Sequence, residues 1–382
     1  MIDLASLRAT EFPWTSRGDV AFLNHASTGP YPERTVRALD EASRLRAEPW
    51  RYPAERQFGM AARARELVAR MIGAAPSEVA LMVNTSYGLN LAARALPFRR
   101  GDVVVTSDRE YPSNIYPWMA LEKERGVRLE VVPTRERLPD EDAILDALAR
   151  PEVRGVVLSW VSFESGYRVD LERIGRACRA KGAFFVVDAI QGVGTAALDV
   201  STLPIDLLAC GGQKWLLSPW GTGFVWVRPD LVRELVPNAV SWMAVRGSDD
   251  FSRLIDYDFT WRDDARRFEV ITLPYHDFEG MVASLELFFD VGLETVYGRI
   301  GALATRLVEW ALSEERVRLV TPSEASRRAG VIAIAPRDSA RASARLTDAG
   351  VIHSLREGAI RLSPHFYNTE AEVDRAIDVL AR

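Results

Sequence analysis

The feature that most restricts the fold of this chain is a rhythm between Val79 and Val227, where short apolar runs alternate with segments of helical character. "EVALMVNT", "DVVVTSD", "RLEVVPT", "RGVVLSWVS", "AFFVV", "IDLLAC" and "GFVWVRP" read as strands, because each is short, apolar and bounded by Gly, Pro or charge. Between them, "SYGLNLAARAL", "SNIYPWMALEKE", "DEDAILDALAR" and "LERIGRACRAK" read as helices, the last with apolar spacing at Leu171, Ile174 and Cys178. The second of these is expected to fit Pro117 poorly in its first turn. Strands alternating with helices at this interval predict an α/β domain with a mostly parallel, doubly wound sheet.

Before the rhythm, "ASTGPYPERTVRALDEASRL" predicts a turn and an amphipathic helix entered after Pro32, and a longer helix is expected over 56–72, stopped by Gly73. After Pro229 the pattern weakens. Residues 248–267 are polar, charged and aromatic, and read as a long excursion outside the core. "FEGMVASLELFFDVGLETVYGRIGALATRLVEWALS" reads as one or two long helices, with the stretch near Glu279 bridging two domains. The tail predicts strands at "GVIAIAP", "VIHSL" and "AIRLSP", then a last helix with a Thr369–Glu372 capping box and an apolar stripe at Val373, Ile377 and Leu380. The expected division is a large domain over 15–280 and a smaller C-terminal α+β domain over 281–382, with residues 1–14 packing on the latter.

Composition narrows the function classes. A chain of 382 residues is long enough for two domains and a large core. A net charge of −5 argues against a general nucleic-acid binder. Two cysteines, Cys178 and Cys210, give neither a disulfide framework nor zinc-ligand spacing, so both are expected in the core and no metal is expected. "MIDLASLRATEF" has no basic region followed by an apolar stretch, and no run of 18 apolar residues occurs, which predicts a cytoplasmic protein without a membrane span.

Two residues stand out within the rhythm. Asp188 closes "AFFVV", and the carboxyl end of a parallel strand is where open α/β sheets bind ligands. Lys214 follows "IDLLAC" in a glycine-rich turn and is one of only three lysines among 48 basic residues, the others being Lys123 and Lys181 near expected helix ends. An amine, unlike a guanidinium, can lose its proton when desolvated and attack a carbonyl. On composition alone, a helix-cap or salt-bridge lysine accounts for Lys214 equally well.

Taken in order, "FLNHASTGPYP", "VVDAIQGVG", "CGGQKWLLSPWGTGFVWV" and "RLSPHFYNTEAEVDRAI" resemble aminotransferase class V, spanning nearly the whole chain. This family comprises pyridoxal 5'-phosphate (PLP) enzymes of fold type I, among them cysteine desulfurases, selenocysteine lyases and isopenicillin-N-epimerase-like proteins. The resemblance implies a mostly parallel seven-stranded sheet in the large domain, PLP as cofactor, an amino-acid substrate, and a homodimer with a shared active site. Lys214 would be the Schiff-base lysine, Asp188 the partner of the pyridinium nitrogen, and Gln191 a donor to the ring's phenolic oxygen. Thr85 and Ser86, opening a helix after a strand, match the phosphate loop. Gln213 stands where desulfurases carry a phosphate-binding histidine, and Thr272 matches a threonine that reaches the neighbouring subunit's phosphate.

The same resemblance places Tyr111 on the face of the cofactor, where desulfurases have histidine and epimerase-type relatives tyrosine. Phe163 replaces a desulfurase asparagine, which leaves Ser162 to supply that hydrogen bond. Arg361 would grip the substrate α-carboxylate, and Asn24 and His25 would lie on the substrate side. Persulfide-forming desulfurases carry a cysteine shortly before this arginine, and "GVIHSLREGAIRLSP" has none. The expected activity is therefore a PLP-dependent aminotransferase, with a cysteine-independent C–S lyase or an epimerase as alternatives. A non-catalytic binding protein on this scaffold is disfavoured by Lys214, Asp188 and Arg361 together. A nucleotide-dependent oxidoreductase would need a dinucleotide-type glycine loop, which "NTSYGLN" lacks.

Overall fold

The computed structural model describes residues 3–382. Its strands, in chain order, begin with β1 (Ala21–Phe22) and then β2 (Val79–Met82), β3 (Val103–Ser107), β4 (Arg128–Val132), β5 (Val153–Ser159), β6 (Phe184–Asp188), β7 (Leu207–Gly211) and β8 (Gly223–Val227). They continue with β9 (Val317–Leu319), β10 (Ile332–Pro336), β11 (Val351–Ile352), β12 (Ser354–Arg356) and β13 (Ala359–Leu362). Each of the seven apolar runs in the rhythm is a strand of one seven-stranded sheet, ordered β2-β8-β7-β6-β5-β3-β4. Only β8 runs antiparallel to its neighbours, so the sheet is mostly parallel. Residues alternate between two buried faces: Phe185 and Val187 meet one apolar cluster, and Val186 meets the other.

A four-stranded antiparallel sheet, β12-β13-β10-β9, forms the second layer system, and β1 pairs in parallel with β11 beside it. One face of the small sheet, through Ile332, Ile334, Ile360 and Leu362, packs on the helices Leu293–Ser313 and Glu370–Leu380. The latter carries the expected capping box between Thr369 and Glu372. At the N-terminus, Phe12 stacks on Tyr367 at 3.9 Å and Arg8 pairs with Glu372, which ties the first helix to this region.

Several local expectations are corrected. The helix around Pro117 starts at Tyr116, so the proline lies in its first turn, where its missing N–H has no intrahelical partner to lose. The excursion over 248–267 splits in two. Its first part exposes Phe251, Leu254, Ile255, Tyr257 and Phe259, whereas Ala265 near its end is fully buried in one cluster with Leu231, Leu235 and Phe268 just beyond it. In agreement with the expectation of one or two long helices, the apolar segment after Pro274 forms two, Tyr275–Val291 and Leu293–Ser313, meeting at Gly292.

Candidate active site

The site lies at the carboxyl edge of the parallel strands, where the small sheet closes over it. Asp188 ends β6 and is buried, with Oδ1 accepting from the Ile190 amide at 3.0 Å. Burial pushes its pKa up to about 6, opposed by that amide and by the charge of Lys214. Lys214 rises from the turn after β7. Burial lowers its ammonium to about 8, with Asp188 working against the shift and Arg361 adding to it. Its Nζ lies 5.5 Å from the centre of the Tyr111 ring. That ring is 45% exposed and meets Phe163 edge-on at 5.3 Å, forming one wall of the site.

The lysine turn is held from behind. The Gly29 amide donates to the Gln213 carbonyl at 2.9 Å, and a Cβ on Gly29 would fall 2.3 Å from the Lys214 carbonyl oxygen. Only glycine permits this approach, so the "NHASTGP" turn and the lysine turn are locked together.

Opposite Lys214, β13 presents Arg361, which is 2% exposed. Its Nη1 donates to the Phe163 carbonyl at 2.7 Å and its Nη2 to Ser27 Oγ at 2.7 Å, while the buried Nε has no partner. Among the described residues no carboxylate pairs with it, and burial lowers its pKa to about 10. Ser27 and Ser354 both donate to Asn24 Oδ1, at 2.9 and 2.5 Å, so the "NHAST" turn and β12 brace the guanidinium from two sides. A buried, unpaired guanidinium aimed at a cleft is a site for an anion.

A second anion cradle lies at the start of the helix Thr85–Ala95. Its N-cap Asn84 accepts from the Tyr87 amide, which leaves other first-turn amides to face the cleft. Thr85 Oγ1 is buried without a partner. A Cβ added at Gly211 would come 3.2 Å from Thr85 Oγ1 and 2.5 Å from Gln213 Oε1, so these two side chains share one small space. Orphaned polar atoms beside a helix N-terminus, next to a buried acid and a partly neutral lysine, fit a phosphorylated aromatic aldehyde such as PLP.

Other expected residues are placed differently. Gln191 is buried, but its Nε2 donates to the Ala26 carbonyl at 2.9 Å and its Oε1 accepts from Trp215 Nε1 at 2.7 Å. Its amide braces the lysine turn, and one of its two Nε2 hydrogens has no partner in these contacts. Ser162 Oγ accepts from the amides of Glu164 and Ser165 at 3.3 and 3.2 Å, capping its own turn. Ser86 donates to Ser113 Oγ at 2.9 Å, so Thr85 holds the free hydroxyl of the pair. His25 is fully buried, bonded to the Ser363 carbonyl and the Tyr367 hydroxyl at 2.8 Å each, and burial lowers it to about 3. It is a neutral core histidine with no atom left for a substrate. Thr272 is exposed on this chain's surface.

Glu110 is a site residue that the sequence reading passed over, although it directly precedes Tyr111. It accepts from the Ser159 amide at 2.8 Å, from the Ser159 hydroxyl, and from Asn114 Nδ2 at 3.1 Å. Ser159 is the cross-strand partner of Asp188, so this carboxyl ties the Tyr111 wall to the floor of the site. Burial raises it to about 7 despite those donors, and the charge of Asp188 contributes.

Among the described residues no helix is long and apolar enough to cross a membrane. The family model described as aminotransferase class-V matches residues 21–376. An uncharacterized aminotransferase, YcbU of Bacillus subtilis, is 30% identical over 83% of this chain and 82% of that protein. A probable cysteine desulfurase of Pyrococcus abyssi is 29% identical over 95% of this chain and 94% of its own length. The solved complex of the cystine C–S lyase C-DES with its product cysteine persulfide superposes with a TM-score of 0.86, covering 96% of this chain and 98% of that one at 22% identity, a likeness of fold.

Proposed function

The chain belongs to the aminotransferase class-V family and is a PLP-dependent enzyme of fold type I, and from that premise we propose that it is a C–S lyase acting on a sulfur-bearing amino acid. The observation that carries this reading is the position of its two thiols. Cys178 lies on the helix Leu171–Lys181 and Cys210 at the end of β7, both fully buried. Burial pushes the Cys178 thiol up to about 12 and the Cys210 thiol up as well. Cys210 Sγ turns to the carbonyls of Ala189 and Gly211. Neither thiol is available to take sulfur from a substrate, so a relative of proteins named probable cysteine desulfurases is left with elimination, in which the sulfur departs on a product.

In this reading the large domain, 15–280, supplies Lys214 and Asp188, and the small one, 281–382, supplies Arg361. Arg361 grips the α-carboxylate, with Asn24 orienting Ser27 and Ser354 around it. Bound PLP supplies the electron sink that acidifies Cα. Lys214 Nζ, its basicity lowered by burial, accepts the Cα proton. Asp188 favours a proton on the ring nitrogen, and Thr85 with Gln213 and the helix start hold the phosphate. Tyr111 and Phe163 limit water on the open side. The Cβ–S bond breaks with its electron pair leaving on sulfur. With one water added, the products are pyruvate, ammonia and a thiol or persulfide, so no external oxidant or reductant enters. The exposed Thr272 is assigned to the phosphate site of a second copy, which makes the working unit a homodimer.

Transamination is the second reading, favoured by the family's description and by the name of the B. subtilis relative. Incubating the holoenzyme with L-cystine and L-cysteine, and assaying pyruvate against released sulfur, separates the two. The lyase reading expects equimolar pyruvate and sulfur, retained in a Cys178→Ala/Cys210→Ala variant. Amino transfer to an added keto acid without pyruvate from either sulfur substrate would replace it with the second reading.

A further inference from the structure

Arg361 is aimed from across the cleft as well as by its own sheet. Its Nη1 donates to the Phe163 carbonyl at 2.7 Å. That carbonyl shares one planar peptide unit with the Glu164 amide, which donates to Ser162 Oγ at 3.3 Å. Whatever fixes Glu164 therefore fixes the acceptor that orients Arg361.

Two arginines fix it. Glu164 is 1% exposed, and a buried carboxylate needs compensating charge and hydrogen bonds. Arg109 Nη1 reaches both of its oxygens, at 2.8 and 3.0 Å, and Arg137 donates to Oε1 through Nε at 2.7 Å and also through Nη2. Arg109, Arg137 and Glu164 lie on the loops that follow β3, β4 and β5. These strands are neighbours in the order β5-β3-β4, so the clamp sits on the carboxyl edge that carries the site.

The backbone bears the mark of this clamp. Among the described residues five non-glycine positions have positive φ, and Arg109 at 59° and Arg137 at 72° are two of them. A Cβ disfavours the left-handed region, and such conformations persist where surrounding contacts over-determine them. Here both converge on one buried carboxylate. The clamp also reaches the wall of the site, because Arg109 lies two residues before Tyr111, whose ring meets Phe163 edge-on at 5.3 Å. The far end of the 162–167 turn is held separately by Thr321, whose hydroxyl donates to the Ser165 carbonyl at 2.6 Å.

We infer that Glu164 is a positioning residue for substrate recognition: held between Arg109 and Arg137, it fixes the Phe163 carbonyl and through it the direction of the Arg361 guanidinium. The inference rests on the reading of Arg361 as the α-carboxylate site and adds the residue that aims it. Its loss should cost carboxylate affinity and spare the chemical step.

Propionate, a carboxylate without an amine, is titrated into the holoenzyme and followed by tryptophan fluorescence, which reads binding without turnover. Glu164→Gln keeps the side-chain shape and removes its charge. The propionate dissociation constant is expected to rise about tenfold, the scale of one well-aligned charge-assisted hydrogen bond. In an Arg361→Ala background the same substitution is expected to change nothing further, because its effect passes through Arg361. With a reacting amino acid, KM is expected to rise while kcat stays within about twofold. Should Glu164→Gln not fold, Arg109→Gln, at a side chain 38% exposed, puts the same question, with an expected rise of about threefold. Unchanged propionate affinity in the folded variant would overturn the inference. So would an equal loss in the Arg361→Ala background, which marks a general loosening of the fold. Full propionate affinity in Arg361→Ala itself would remove the α-carboxylate reading, and the inference with it.

Discussion

Two clusters of buried polar side chains meet at Trp215, and they differ in whether their hydrogen-bonding capacity is spent. In the first, His25 is bonded through both ring nitrogens, His365 accepts from the Phe366 amide and contacts the Trp215 carbonyl, and Asn368 serves both the His365 amide and the Phe22 carbonyl. In the second, Thr85 Oγ1 and Arg361 Nε have no partner, and Lys214 approaches Asp188 only through their mutual field. Both clusters lower the charge of their basic groups by burial. The first is closed and neutral, so it is scaffold. The second retains desolvated groups without partners, a cost that binding a charged ligand offsets.

The sharpest way to break this comparison is Lys214→Ala. Turnover is expected to fall by about 10⁴-fold or more, at the upper end of general-base effects, with little change in unfolding by denaturant. Next comes Arg361→Ala, for which kcat/KM with any amino acid should fall on the order of 100- to 1000-fold, the loss of charge-assisted hydrogen bonds to a carboxylate.

The scaffold cluster predicts the reverse pattern. His25→Ala should cost about 2–4 kcal/mol of stability, from a cavity and an unsatisfied Ser363 carbonyl, while turnover per folded molecule changes little. The pH dependence has a definite sign. Because the folded chain keeps His25 neutral down to about 3, the unfolded chain binds the extra proton below the ordinary imidazole value. Stability is then full above that value and falls as the pH drops toward 3. Removing His25 should flatten that acid limb, and an unchanged limb would assign the acid sensitivity elsewhere.

The smallest effect sharpens the comparison most. Thr85→Val replaces an unpaired hydroxyl with a methyl group. Folding stability should hold or rise slightly, while PLP dissociates about tenfold more readily, as measured by equilibrium dialysis. Stability and cofactor affinity falling together would place Thr85 with the closed cluster.

The sheet was legible because its pattern is local. Each strand is a short apolar run between breakers, and the residues around Asp188 and Lys214 fall inside two adjacent runs. What could not be read was closure over distance. Ser27 and Ser354 meet at Asn24 only once β12 folds over the N-terminal turn, and neither serine carries a local signal. Gln191 has the expected spacing from Asp188, and what the spacing does not show is that its amide also bridges the Ala26 carbonyl and the Trp215 indole. Glu110 was hidden by its neighbours, because only the packing of its loop on β5 brings it to Ser159. Ala265 and Phe268 sit in a polar stretch whose burial depends on the turn toward Leu231 and Leu235.

The central claim is that the unspent cluster holds its cofactor at one amine. With only three lysines in the chain, borohydride reduction of the PLP-loaded protein followed by peptide mass mapping tests it directly. The account predicts a phosphopyridoxyl group on the peptide carrying Lys214 and none on those carrying Lys123 or Lys181. A label on either of those lysines, or none on Lys214, would contradict it.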